Sequence, residues 1–367
     1  MILGSLAGWG ASAIRHASVV AALAGTLVAA GTAGAEEAEW APYPVQVWQD
    51  PFNMDAERKS VDYEPVDSAR QKWNICVALP HLKDSYWKAV NFGLVEEAKR
   101  VGVSMSIHNA GGYTELEKHK QQIRACAGNG ADAVIIGAIS SDELNDLVGD
   151  LDDQGIPVVD LVNGMSADKL DAKSLVDFGE MGSRTGEHLA GLISGSEARI
   201  AWFPGPEGAS WVAAGDRGFK GALKDTNATI VETVYGDTRP DVQEDLVRQT
   251  LEAHDDLNYI VGNAVTASTA VDVLKEMDRT DVKVVSFYLT PSVYRAIRTG
   301  DIKAAPTDSP VIQARIAVNQ AVRILEDKSY HKHVGPEIVV LDRSTINFFN
   351  YLSALPPRGF EPVSRVQ

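Results

Sequence analysis

From Trp73 onward, short apolar runs and amphipathic stretches follow one another in strict alternation, and few folds accommodate that. NICVAL at 74–79 reads as a strand. Residues 87–100 read as a helix, with Val90, Leu94, Val95 and Ala98 on one face. A strand at 103–109 and a helix at 115–128, closed by Gly128 and Gly130, come next. AVIIG has the unbroken apolar character of a parallel strand covered on both faces. A helix at 141–154, with Asp142 and Glu143 in its first turn, leads to a strand at 157–162. Repeated βα units of this kind demand a parallel sheet with helices on both sides.

The pattern then restarts. A strand at 199–203 runs into GPEGASWVAAGDRGFKGALK. SYWKAVNFGLVEEAK in the first half and SWVAAGDRGFKGALK in the second share one plan: Ser, then Trp, then an amphipathic helix. Further strands are expected at 230–234, 259–262 and 282–286. Weak internal similarity of this kind marks a duplicated architecture. The expected fold class is therefore α/β, two similar Rossmann-like lobes with parallel sheets and a cleft between them. A length of 367 residues suits two such bodies.

In open parallel sheets, ligands bind beyond the carboxyl ends of the strands. HLKDSYWKAVNFG sits at such an end in lobe one and packs Asp84, Tyr86 and Trp87 into one turn. Ser210 and Trp211 hold the matching place in lobe two, and Phe287 and Tyr288 follow the strand KVVS. If the lobes face each other, these rings line one cleft. Aromatic faces there suit a small ligand with a positive or quaternary nitrogen. Bland readings stand beside each assignment. Trp87 fits a plug of the lobe-one core as well as a wall of the cleft. Tyr113, in NAGGYTE, fits a solvated loop, and Tyr288 a packed strand end. Trp211 reads equally both ways, and Asp84 serves equally as a helix cap or a ligand carboxylate.

Composition narrows the function. Net charge is −16 and no basic cluster interrupts it, so nucleic acid is a disfavoured partner. Arg15, the apolar run ASVVAALAGTLVAAGTAGA and the small residues Ala33, Gly34 and Ala35 predict a signal peptide over 1–35. An uncleaved anchor is the alternative. Residues 36–72 carry many Pro, aromatic and acidic residues without period, which predicts an extended arm lying over the body. In an exported chain, the isolated pair Cys76 and Cys126 invites a disulfide, with two buried thiols as the alternative. The sequence has no phosphate loop, GxGxxG after a strand, HExxH, GxSxG or CxxC, and no cofactor or metal is expected. His331 and His333 read as solvent-facing. Asn263, Asp216 and Arg217 leave a sugar-binding cleft open. An enzyme has no motif to support it.

ICVALPHLKDSYW, HNAGGYTE, YIVGNAV, FYLTPSVYR and AAPTDSP resemble the TorT family, over about residues 40–345. Those proteins are periplasmic sensors of trimethylamine N-oxide with the type I periplasmic binding-protein fold. The resemblance implies a clamshell with three crossings and a ligand in the interlobe cleft. Its aromatic cage would use Tyr86, Trp87, Tyr113 and Tyr288, with Asp84 as the nearby acid and Asp308 in AAPTDSP as a further site residue. Where the family has an aromatic-rich run before Met-Gly, this chain reads VDFGEMG. Phe178 keeps one ring, and Glu180 stands where another is expected. Glu180 serves either a more fully cationic ligand or the start of a helix over 181–192. The resemblance also implies a partner, the periplasmic domain of a membrane histidine kinase of the TorS type. The rival expectation is a substrate-binding protein of an ABC transporter for a sugar or quaternary amine. The implied division is lobe one at 73–176 plus 306–333 and lobe two at 177–305 plus 334–345, with 346–367 as a tail.

Overall fold

The computed structural model describes residues 40–367; the expected signal peptide at 1–35 lies outside them. The chain begins with a hairpin, β1 (Tyr43–Trp48) and β2 (Arg58–Tyr63). Lobe one follows as β3 (Asn74–Leu79), α1 (Ser85–Val101), β4 (Ser104–Asn109), α2 (Leu116–Gly128), β5 (Ala133–Ile136), α3 (Asn145–Asp152), β6 (Val158–Leu161) and β7 (Ala172–Ser174). Lobe two runs through α4 (Phe178–Ile193), β8 (Ala198–Gly205), α5 (Ser210–Leu223), β9 (Ala228–Tyr235), α6 (Pro240–Ala253), β10 (Tyr259–Gly262), α7 (Ala264–Glu276), β11 (Lys283–Ser286), α8 (Pro291–Thr299) and β12 (Ala304–Thr307). The chain closes with α9 (Pro310–Leu325), β13 (His333–Pro336), β14 (Val339–Asp342), a 3-10 turn at Ile346–Phe348, α10 (Tyr351–Ala354) and β15 (Arg365–Val366).

Two main sheets result. The larger has the order β15-β4-β3-β5-β6-β7-β13-β1-β2, and the smaller has β11-β10-β8-β9. From β4 to β13 the larger sheet is parallel, and the whole of the smaller one is too. The expected α/β architecture of two sheets flanked by helices is what the chain forms. Local chemistry explains the element ends. Asp84 caps α1 by accepting from the Trp87 N–H at 3.0 Å. Gly102 closes the helix in the left-handed region, φ 83°, after Lys99 and Arg100 have complemented its dipole. The third expected helix begins only at Asn145, because the residues from Ser141 form a turn.

The connections depart from the expected ones, and so does one side chain. The arm is not merely laid on the body: β1 pairs antiparallel with β13, and the hairpin extends the lobe-one sheet. Its aromatics are anchored, with Trp40 Nε1 donating at 3.0 Å to buried Glu97, which also holds Arg315 of α9 at 2.9 Å. The lobe boundaries also move. β12 pairs with β14 beside lobe two, so the chain crosses at 308–309 rather than at 306. β13 lies wholly in the lobe-one sheet, so the next crossing follows Pro336 rather than residue 333. The tail adds a fourth crossing. Tyr351 meets Tyr294 of lobe two at 5.0 Å, Phe360 meets Phe92 of lobe one at 5.2 Å, and β15 pairs with β4. Finally, His333 is not solvent-facing. It is fully buried in β13, stacked on Trp48 with ring centroids 3.9 Å apart.

Cys76 of β3 and Cys126 of α2 are joined as a disulfide, Cα to Cα 5.7 Å. Among the described residues no helix is long and apolar enough to cross a membrane.

Candidate functional site

The carboxyl ends of β3 and β4 converge on the first part of the site. Both Gly111 and Gly112 donate their N–H groups to the Pro80 carbonyl, at 2.8 and 3.0 Å. Gly111 takes φ 108°, which a side chain would resist, and the turn it makes brings Tyr113 beside the start of α1. From lobe two, the first turn of α4 supplies Phe178, the first turn of α5 supplies Trp211, and the loop after β11 supplies Tyr288.

These side chains meet around one cavity of about 30 Å³. Its walls are Tyr86, Trp87, Tyr113, Phe178, Trp211 and Tyr288, completed by Asp84, Val162, Asn163 and Thr238. Tyr86 and Tyr288 meet edge to face at 5.5 Å, Trp211 and Tyr288 at 6.3 Å, and Phe178 lies 6.1 Å from Trp211. Asp84 is the one carboxylate among those walls. The cavity sits between two wider clefts. One, of about 520 Å³, shares Asp84, Tyr113 and Thr238 with it. The other, of about 700 Å³, shares Val162, Asn163, Phe178 and Trp211.

The competing readings of Trp87 collapse into one, because it is both wall and core: it is 2% exposed, and a Cβ on Gly137 would lie 2.7 Å from its ring. Asp84 likewise caps α1 and faces the cavity. Asp308 stands one layer back. It accepts from the Tyr86 hydroxyl and from Gln313 Nε2, the latter at 2.7 Å, and so holds the Tyr86 ring in place. Burial pushes its carboxyl pKa up, and the Tyr86 and Gln313 hydrogen bonds oppose that. Glu180 lies outside the cavity. It binds Arg58 of β2 at 2.5 Å and Arg184 at 3.1 Å, which an adjacent sequence motif could not reveal. Asp216 accepts from Trp202 Nε1 and Asn263 caps α7 from a buried position, so neither lines the cavity.

Sequence reasoning missed Asn163. Its Nδ2 donates to the Tyr113 hydroxyl at 3.1 Å and to the Ala138 carbonyl at 2.7 Å, and its own carbonyl accepts from Ser210 Oγ at 3.3 Å. One residue thus ties the Tyr113 loop of lobe one to the start of α5 in lobe two. The available signal was the Asn-Gly turn after the strand VVDL. Beside it, Val162 is held at φ 71°, an unusual conformation for a β-branched residue and one that recurs at functional sites.

The electrostatics suit a neutral or positive guest. Burial pushes the hydroxyls of Tyr86, Tyr113 and Tyr288 well above the ordinary phenol range, so all three stay protonated. The Asp84 carboxylate adds to the rise at Tyr113 and Tyr288. Ring faces and one carboxylate attract positive charge spread over methyl groups.

A periplasmic binding protein domain matches residues 75–329. Periplasmic protein TorT of Escherichia coli (strain K12) is 32% identical over 309 residues, which covers 84% of this chain and 89% of that protein. This chain belongs to the periplasmic binding proteins, as a TorT-like member. Among solved structures, such a binding protein from Bradyrhizobium sp. BTAi1, an ABC transporter solute-binding protein with bound bis-tris, is 48% identical. It aligns with TM-score 0.81 over 89% of this chain and 99% of its own. TorT in complex with the TorS sensor domain, solved in the presence of trimethylamine N-oxide, is 33% identical with TM-score 0.72, over 80% of this chain and all of that one.

Proposed function

We propose that this TorT-like protein works in the periplasm as a ligand sensor that closes on trimethylamine N-oxide or a close methylated amine. The closed form is then read by the sensor domain of a membrane histidine kinase. The observation that carries this reading is the cavity itself: six aromatic side chains and one carboxylate around about 30 Å³. A lining of rings with one carboxylate offers the hydroxyls of a sugar few partners and suits a compact methylated headgroup. The methyl groups of an amine oxide carry positive charge and fit ring faces. One of the similar solved structures supports the same class, since TorT with the TorS sensor domain was solved in the presence of trimethylamine N-oxide. Signalling follows from differential affinity: a ligand that touches both lobes favours the closed form, and a partner that prefers that form gains affinity by the same factor.

The second reading, delivery of a quaternary amine to an ABC transporter, is favoured by the 48% identity to a solute-binding protein. It shares the cage and differs in the partner. Calorimetry of the mature protein with trimethylamine N-oxide, and with ribose, choline and glycine betaine as competitors, tests the ligand. Saturable binding of the oxide, weakened at least tenfold in Tyr113→Ala, is expected. Tyr113 is chosen because it sits on a loop and is the least buried of the six rings, so its truncation disturbs the core least. Tight binding of ribose with none of the oxide would sink the reading. Co-elution with the kinase sensor domain of the same organism separates sensor from transporter.

A further inference from the structure

The cavity has a donor that nothing in the protein uses. Trp211 is 8% exposed, lines the cavity, and its Nε1–H has no hydrogen-bond partner. Among the cavity walls it is the one buried side-chain polar atom in that condition. The N–H lies near the Tyr113 hydroxyl without the geometry of a hydrogen bond to it. Tyr113 instead receives the Asn163 amide. An indole N–H can only donate, and a buried donor left unpaired costs free energy.

Asp84 and Trp211 give the cavity a polarity. Lobe one presents a carboxylate, which only accepts, and lobe two presents an N–H, which only donates. A simple tetraalkylammonium ion answers the first and leaves the second unpaired. A ligand with adjacent positive nitrogen and negative oxygen answers both, with its oxygen turned away from the carboxylate. We infer that Trp211 Nε1–H is the specificity-determining donor to the ligand's oxygen, selecting an amine oxide over an isosteric quaternary ammonium ion. This rests on the methylated-amine reading above and adds what discriminates within that class. It also couples specificity to closure, because donor and carboxylate come from opposite lobes.

The test compares trimethylamine N-oxide with tetramethylammonium, in which a methyl group replaces the oxygen. Trp211→Phe keeps a ring and removes the N–H. Calorimetry should show the variant losing about tenfold or more of its affinity for the oxide, and less than about threefold for tetramethylammonium. NMR of wild-type protein with ¹⁵N-labelled tryptophan avoids any folding defect of the variant. There the Trp211 indole proton should move downfield with the oxide and not with tetramethylammonium. Equal losses for both ligands, or an indole proton indifferent to the oxide, overturn the assignment while leaving the ligand class intact. Wild-type protein that binds neither compound overturns the ligand class and this assignment together.

Discussion

His333 shows how far burial alters one side chain. It is fully buried, stacked on Trp48, and its Nδ1 accepts the Phe52 N–H at 3.4 Å. Burial first, then the charges of Lys173 and Arg58, lower its pKa to about 3 from an ordinary 6.5. A folded-state pKa below the unfolded one means that the unfolded chain binds the proton first as pH falls. Stability is therefore complete above about pH 6.5 and declines from there toward pH 3. At pH 5 this single group should cost about 2 kcal/mol. His119, buried and lowered to about 4, acts in the same direction, whereas Asp160, raised by burial to about 6, acts in the opposite one. Denaturant unfolding at pH 7 and pH 5 should show His333→Phe losing less stability between the two pH values than wild type. Equal losses would mean that the ring is protonated in the fold.

At the scale of elements, what matters is how closely helices and strands are held. The Cys76–Cys126 disulfide ties β3, the strand that feeds Tyr86 and Trp87 into the cavity, to α2, which follows the Tyr113 loop. It closes a loop with a sequence separation of 50. Constraining a loop of that length in the unfolded chain stabilises the fold by about 4 kcal/mol. Reduction should lower the denaturant midpoint accordingly and leave ligand affinity within about twofold while the protein stays folded. A large loss of affinity at unchanged stability would give the bond a role in shaping the site. The lobe-two counterpart uses close approach instead. A Cβ on Gly218 would lie 1.9 Å from the Gly179 carbonyl, so α4 and α5 touch backbone to backbone. That contact holds Phe178 and Trp211 side by side at 6.1 Å.

Across the whole molecule, the N-terminal hairpin works as a clasp. Arg58 belongs to the lobe-one sheet, yet it reaches Glu180 at 2.5 Å and Asp177 at 3.8 Å, where the chain enters lobe two. These groups are about a quarter exposed, so the pair is worth at most about 1 kcal/mol. Arg58→Ala and Glu180→Gln should each weaken ligand binding by no more than about fivefold, and the double variant by no more than either alone. Raising salt should weaken the wild type toward the variants and leave the variants nearly unmoved. Complete loss of binding in Glu180→Gln would instead make Glu180 a ligand contact.

Alternation from Trp73 to Ser286 was legible in the residues, because period and turn chemistry are local: two parallel sheets, the restart near 199, and aromatic side chains at strand ends all follow from short stretches. The fate of each aromatic was not. Tyr86, Trp87, Phe178, Trp211 and Tyr288 share a cavity only because two sheets come face to face, and no window of neighbouring residues encodes that. Short strands such as Ala172–Ser174 and His333–Pro336 lack the length to show a period, so the lobe boundaries around β12 and β13 were misplaced. Asn163 looked like an ordinary turn residue until Tyr113 and Ser210 arrived from distant segments. Glu180 read either as a site carboxylate or as a helix-start residue; it lies in the first turn of α4, where Arg58, 122 residues earlier in the chain, pairs with it. Sequence alone determined which elements form and which residue types reach the cleft. Tertiary structure decided which of them face one another, because burial and pairing are set by partners far away along the chain.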